Sequence, residues 1–426
     1  MKKETKDNVL YIDGCSAVEL AGKYGTPLYV YSETDLISRF QELKEVFTQK
    51  YPRTRVAYAS KAFCAAAMYR LCMEQGACID VVSGGELYTA MQAGFPAERV
   101  EFNGNNKLPR EVELALDYGI GRFIVDGLQE LSLIEAKCRE KAKTANVLFR
   151  ITPGVKSDSH DYIVTGKKDS KFGIPLDEDV IYPQVEKAIS SPHINFMGFH
   201  FHVGSQLFDN DSHLQALEVM LDVVKNVKER FHYDVTELNL GGGFGVSYTT
   251  EKRKPAAYFL DPMMVRIQEF FAQLGAEPPA VVIEPGRSIV AEAGLTLYTV
   301  GSIKEIRGVG KYVSVDGGMT DNIRPALYQA KYGGILANKA EEAAEDVVTV
   351  CGKCCESGDI LIRDIPLAPA EPGDLLAIFS TGAYGYSMAS NYNRNPIPAV
   401  VFAKEGCDRL VVKRQSYEDM MRNEVI

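Results

Sequence analysis

Asn195-Phe196-Met197-Gly198-Phe199-His200-Phe201-His202-Val203-Gly204-Ser205-Gln206 is the stretch on which the fold turns. An apolar and aromatic run that breaks off at glycine and polar residues reads as a strand, Asn195 to His202, delivered into a loop. In a strand His200 and His202 share one face. Outward from this stretch the same unit recurs: a short apolar run, a turn, then a helix-like mixture of polar and apolar residues. Toward the amino terminus the runs are Arg55 to Ser60, Cys78 to Ser83, Val100 to Asn103, Arg122 to Asp126 and Val147 to Thr152; toward the carboxy terminus they are Glu237 to Gly241 and Val281 to Pro285. Eight such units predict a closed parallel (β/α)8 barrel of the TIM type, whose strands are apolar throughout because helices cover their outer face. An open doubly wound sheet has the same periodicity and stands as the alternative.

Two stretches fall outside the repeat. Pro27-Leu28-Tyr29-Val30-Tyr31 is strand-like and precedes a helix that begins near Ser32 or Thr34, whose short polar side chains suit an N-cap. After about Ala291, short runs such as Tyr312 to Val315, Asp346 to Val350 and Leu375 to Phe379 alternate with Gly and Pro turns. That composition predicts an antiparallel β domain that also takes in the amino-terminal strand. The expected division is an α/β barrel over residues 33–288 and a β-rich part formed by residues 1–32 and 289–426.

Of the 426 residues, 46% are hydrophobic and 24% charged, which is globular and neither disordered nor fibrous. The net charge of −10 offers no bulk attraction to nucleic acid or to anionic lipid, so neither is expected as a partner. Met1 to Asp7 is polar, and no apolar h-region or uncharged stretch of ~20 apolar residues occurs, so the expected location is the cytoplasm. Nine cysteines fit reduced thiols better than a disulfide framework. Cys351, Cys354 and Cys355 form a C-x-x-C cluster, but structural zinc needs four ligands and no second pair lies near in sequence.

In a barrel of this kind chemistry sits where strands end and loops begin. Lys61, just past the first run, is either a solvated surface lysine or an amine whose pKa desolvation lowers toward nucleophilicity. Asp80 ends the second run among apolar neighbours and needs a partner, for which Arg150 is the candidate; a purely structural ion pair is the alternative. His200 and His202 suit a metal, with Glu284, Asp80 or Asp126 as further ligands, or an imidazole stacked on a flat heteroaromatic ring. Gly241-Gly242-Gly243 is a tight turn or an anion cradle made of backbone N–H groups. Glu284-Pro285-Gly286-Arg287 puts a carboxylate and a guanidinium at one strand end, suited to a ring N–H and to an anion. Taken together, these strand ends describe a pocket for pyridoxal phosphate.

These motifs resemble those of the diaminopimelate decarboxylases among the fold-III, alanine-racemase-like pyridoxal phosphate enzymes. The resemblance runs from Tyr24-Gly25-Thr26-Pro27 through Tyr58-Ala59-Ser60-Lys61, Gly104-Asn105-Asn106-Lys107, Lys171-Phe172-Gly173, Gly198 to Gln206 and Glu284 to Arg287. It continues in Ile323-Arg324-Pro325-Ala326-Leu327-Tyr328, Cys355-Glu356-Ser357-Gly358-Asp359 and Gly382-Ala383-Tyr384-Gly385 to Asn393. The resemblance implies that Lys61 binds the cofactor aldehyde covalently and that His202 stacks on its ring. It places Asp80 in the cofactor-binding set and implies that Ser205, Gly241, Gly242, Gly243, Glu284, Pro285, Gly286, Arg287 and Tyr384 hold the phosphate and ring, with Glu284 at the pyridine nitrogen. It implies that Arg287, Arg324, Tyr328, Glu356 and Tyr384 bind substrate, with Glu356 on a distal ammonium. Cys355 is the implied proton donor, entering with Glu356 from the second subunit of a head-to-tail homodimer.

Cys351-Gly352-Lys353-Cys354 replaces a usual Gly-Pro pair of this family, and the segment after Tyr386 departs slightly from its commonest form; neither change removes a group with an assigned role. The implied reaction is decarboxylation of meso-2,6-diaminopimelate to L-lysine and carbon dioxide, without a metal. The competing readings are a decarboxylase of ornithine, lysine or carboxynorspermidine, a metal-dependent barrel hydrolase, and a non-catalytic regulatory homologue. Residues 156–171, rich in charged and small side chains, are expected to form a lid.

Overall fold

The computed structural model of the chain describes residues 1–155 and 170–425. The expected lid therefore lies almost wholly outside the described residues. Eight parallel strands close on themselves: β1 (Thr54–Ala59), β2 (Cys78–Val81), β3 (Val100–Phe102), β4 (Arg122–Val125), β5 (Ala145–Thr152), β6 (Ile194–Phe201), β7 (Glu237–Asn239) and β8 (Ala280–Ile283). Each pairs with the next, and β8 returns to β1 through Val281 with Thr54, Val282 with Arg55 and Ile283 with Val56. An open sheet has no such return pairing, so the closed barrel is the fold.

The strands are mostly shorter at their carboxyl ends than the apolar runs in the sequence. The closing residues of the runs leave the hydrogen-bond ladder to start the loops; Ser60–Ala62, for example, is a single 3-10 turn. Ser83 caps the helix Gly84–Ala93 by accepting the Glu86 N–H at 3.2 Å. The opposite end of the barrel is closed by buried charge. Arg122 reaches Glu101 at 2.9 Å and Glu237 at 3.2 Å, and Arg55 also pairs with Glu237. Both carboxylates are fully buried, so their cost is met only because each has a guanidinium partner.

The chain divides into two compact units, residues 40–245 with 253–286, which hold the barrel, and residues 1–39 with 246–252 and 287–426. In the second unit the strand Leu28–Ser32 pairs antiparallel with β9 (Gly294–Ile306), as expected for an amino-terminal strand drawn into the carboxy-terminal sheet. β9 also pairs antiparallel with β10 (Gly310–Val315) and β13 (Leu375–Phe379), and β11 (Asp346–Cys351) with β12 (Ile360–Leu367). Two pairings are parallel, β10 with β11 and Leu28–Ser32 with β14 (Ala399–Lys404), so the sheet is mixed. Strands joined by long connections have no hairpin to impose opposite directions.

Both faces of this sheet are covered. Leu28, Val30, Leu295, Leu297 and Val401 pack on one side, and Tyr298, Val300, Val313, Val350 and Leu376 on the other. Ser32 caps the following helix, Glu33–Leu43, by accepting the Asp35 N–H at 3.1 Å.

Candidate active site

Lys61 sits in the turn after β1 with its side chain exposed and without a hydrogen bond or ion pair among the described residues. Asp80, in β2, is buried and accepts the Asn103 Nδ2–H at 2.9 Å. The expected Asp80–Arg150 pair is not what forms. Arg150 Nε lies 3.7 Å from Asp126 Oδ1 instead. The reason is lateral: β5 carries Arg150 and borders β4, whose run ends at Asp126, whereas β2 borders β3, whose run ends at Asn103.

Glu284 follows β8 and collects several N–H groups. Its Oε1 accepts from Asn103 Nδ2 at 3.1 Å and Asn239 Nδ2 at 2.8 Å, and its Oε2 lies 3.0 Å from His200 Nε2. Burial drives the carboxyls of both Asp80 and Glu284 upward. For Asp80 the neighbouring Glu284 charge adds to burial, and the group sits well above the carboxylate range. For Glu284 the His200 hydrogen bond and the Arg150 charge oppose burial and bring the carboxyl below its ordinary value.

The two histidines of β6 and its loop therefore separate in role. His200 is fully buried against Glu284, while His202 is half-buried with its Nδ1 accepting the Gly242 N–H at 3.3 Å. Desolvation, with the Lys61 and Arg150 charges, pushes His202 well below the ordinary histidine value, so its ring is neutral. Among the described residues no three His, Cys, Asp or Glu side chains converge as a metal would need.

The glycine turn is welded to its neighbours. A Cβ on Gly242 would lie 2.2 Å from Glu284 O, and one on Gly243, at φ +104°, 2.4 Å from Gly204 O. Ser205 lies in the Gly204 loop and Pro285 and Gly286 in the Glu284 turn, so three strand ends meet at backbone distance. The N–H groups of Gly243 and Gly286 donate to no other described residue. Orphaned donors beside a closely packed glycine turn are what a phosphate requires.

The second unit holds a cluster of guanidinium and phenol groups. Arg324 is 7% exposed, donates to Tyr332 Oη at 2.5 Å and lies over the rings of Tyr248, Tyr332 and Tyr384 at 5.0, 5.8 and 5.8 Å. It has no carboxylate partner among the described residues. Arg287 donates to Tyr248 Oη at 2.6 Å and lies 4.8 Å over Tyr384. Tyr384 adopts φ +63°, an unusual backbone state for an aromatic residue and a form of strain found at functional positions. Tyr328 ends the short helix Arg324–Tyr328 half-buried, without a hydrogen bond or ring contact among the described residues.

Cys355 and Glu356 stand exposed on a loop anchored from below. The buried Asp359 accepts N–H groups from Met319 at 2.7 Å and Cys354 at 2.8 Å, and Asn393 accepts the Cys355 N–H at 2.7 Å.

The barrel therefore offers an unpaired amine, a neutral imidazole, a buried carboxylate and free backbone donors, which fits pyridoxal phosphate. Sequence reading missed Asn103, Asn239, Tyr248 and Tyr332. Asn103 closes the Val100 to Asn103 run and Asn239 lies within the Glu237 to Gly241 run, which was the available signal; the tyrosines gave none.

Residues 34–291 match the family model described as the pyridoxal binding domain of pyridoxal-dependent decarboxylases. The chain is 49% identical to the diaminopimelate decarboxylase of Bacillus subtilis (strain 168) over 99% of its own length and 96% of that protein. It is 48% identical to the diaminopimelate decarboxylase of Halalkalibacterium halodurans, over 97% and 94%. Among solved structures, diaminopimelate decarboxylase from M. jannaschii in co-complex with L-lysine matches with a TM-score of 0.91 and 37% identity, covering 100% of this chain and 98% of that one.

Proposed function

The chain belongs to the diaminopimelate decarboxylases, carboxy-lyases that use pyridoxal phosphate, and from this premise we propose that it converts meso-2,6-diaminopimelate to L-lysine and carbon dioxide. The bound cofactor supplies a sink for the electron pair released when a Cα–carboxylate bond breaks. The chain's residues do the rest. Lys61 anchors the cofactor aldehyde. His202 faces the ring with Asp80 in the same set, and Glu284 holds a negative charge for the ring nitrogen. The turns at Ser205, Gly241 to Gly243 and Pro285 to Arg287, with Tyr384, take the phosphate.

In this reading the barrel seats the cofactor, and the β-rich unit recognises what is distinctive in the substrate. Arg324, with Arg287, Tyr328 and Tyr384, binds the distal carboxylate; Glu356 binds the distal ammonium, and Cys355 returns a proton to Cα. Both loop residues act in the neighbouring subunit of a homodimer in the cytoplasm. The observation that carries the substrate assignment is Arg324, a buried guanidinium faced by phenols and lacking a carboxylate among the described residues. A buried charge in that state calls for an anion from outside.

The test compares turnover of diaminopimelate, ornithine, lysine and carboxynorspermidine by the wild type and by Arg324→Met. Diaminopimelate is expected to be preferred, with its kcat/KM in Arg324→Met lower by roughly 30-fold or more, as for a charged bond lost from a buried site. Preference for a substrate without a distal carboxylate overturns the assignment. Lys61→Ala is expected to abolish both turnover and the absorbance band of the cofactor joined covalently to the lysine.

A further inference from the structure

Buried Asp80 and the largely covered Glu284, its side chain 9% exposed, are carboxyls joined by one amide: Asn103 Nδ2 gives a hydrogen to Asp80 Oδ1 at 2.9 Å and another to Glu284 Oε1 at 3.1 Å. Two charges so close in a dry interior repel strongly, and one proton is expected to remain on the pair. The surrounding donors are unevenly shared. Glu284 also accepts the Asn239 N–H at 2.8 Å and lies 3.0 Å from His200 Nε2, whereas Asp80 receives no N–H from the described residues beyond Asn103.

His200 Nε2 is the ring nitrogen that faces Glu284, and its Nδ1 is buried without a partner among the described residues, so a hydrogen on Nε2 is bonded where one on Nδ1 would be stranded at a cost of ~1–3 kcal/mol. The other charged or titratable groups facing the pair are Lys61, Glu101, Arg150 and His202. Lys61 and Arg150 draw negative charge and Glu101 opposes it. What distinguishes the two carboxyls is the N–H donors aimed at Glu284 from Asn239 and His200.

We propose that His200 and Asn239 are positioning residues that place the negative charge of this pair on Glu284 and leave Asp80 protonated. The inference rests on the proposed function only for its purpose, a charged carboxylate at the cofactor's ring nitrogen. The opposite displacements of Asp80 and Glu284 from the carboxylate range agree with it.

The test begins with cofactor-free protein carrying ¹³C in its Asp and Glu carboxyls, with the two signals assigned by their loss in Asp80→Asn and Glu284→Gln. At neutral pH the wild type is expected to show Glu284 ionised and Asp80 protonated. The Glu284 midpoint is expected to rise by about one pH unit or more in His200→Leu and Asn239→Leu, and to return in His200→Gln, which keeps an N–H donor. With ¹⁵N in the cofactor ring, the nitrogen resonance is expected to move from the protonated toward the unprotonated position in His200→Leu alone of the two His200 variants.

An ionised Asp80 beside a protonated Glu284 in the wild type overturns the proposal, as do unchanged midpoints in both leucine variants. The wild-type assignment decides even if a leucine variant fails to fold. Titrations as expected in a protein that does not decarboxylate diaminopimelate would remove the proposed function and leave the charge assignment standing.

Discussion

Tyr332 and Tyr248 each hold an arginine to which the proposed function gives a part in substrate binding. Each offers a phenol oxygen to one guanidinium, Tyr332 to Arg324 and Tyr248 to Arg287, and their rings meet edge to face at 5.4 Å. A phenol satisfies an arginine N–H without neutralising its charge, so the guanidinium is fixed in direction and stays attractive to an anion. Tyr332→Phe should therefore raise KM for diaminopimelate about tenfold, roughly 1.4 kcal/mol, with kcat changed less than about twofold. Steady-state kinetics check this, and an equal fall in kcat would point to a wider collapse of the cluster. The tyrosines were illegible in the sequence because 84 positions separate Tyr248 from Tyr332 and neither ends an apolar run.

Strand ends and their turns are the elements that bring the proposed cofactor site together. The runs were legible because burial on both faces of a barrel strand demands continuous apolar character, which a helix of similar length does not show beside Gly and polar closers. The glycine turn was legible as a turn but not as a weld. Gly242 has no room for a methyl group because Glu284 O is 2.2 Å from where it would sit. Gly242→Ala is expected to push the Glu284 turn away, lower stability by about 1–3 kcal/mol and weaken cofactor binding at least about tenfold. Urea unfolding and cofactor titration measure the two effects. Unaltered cofactor affinity would mean the turn does not set the cradle.

At the scale of the whole molecule, buried acids make stability depend on pH. Asp321 lies beneath Tyr298, whose hydroxyl donates to it, and accepts the Gly318 N–H at 3.0 Å; burial, the largest influence, pushes it up to about 7. Its folded value exceeds its unfolded one, so its contribution is fully present below about pH 4 and is lost as pH rises through about 7. Asp321→Asn should flatten this fall, worth on the order of 4 kcal/mol, in urea midpoints of cofactor-free protein between pH 4 and 8. An identical slope in the variant would assign the dependence elsewhere. Assembly is tested by mixing. If Cys355 serves the neighbouring subunit, combining Lys61→Ala with Cys355→Ala protein should restore activity that neither has alone, and no recovery after subunit exchange would count against a shared site.

By itself the sequence determined the eight strand–turn–helix units, the amino-terminal strand with its Ser32 cap, and the order in which an amine, an imidazole, a glycine turn and a carboxylate arrive at strand ends. Those are consequences of local periodicity and turn chemistry, whose free energies depend on neighbours along the chain. Only the tertiary structure decided that the barrel closes, that Arg150 meets Asp126 and not Asp80, and that Glu284 gathers Asn103, Asn239 and His200. Lateral neighbours are fixed by strand order and register, and hydrogen bonds reach only about 3 Å, so no spacing along the chain reports which polar side chains will share one buried place.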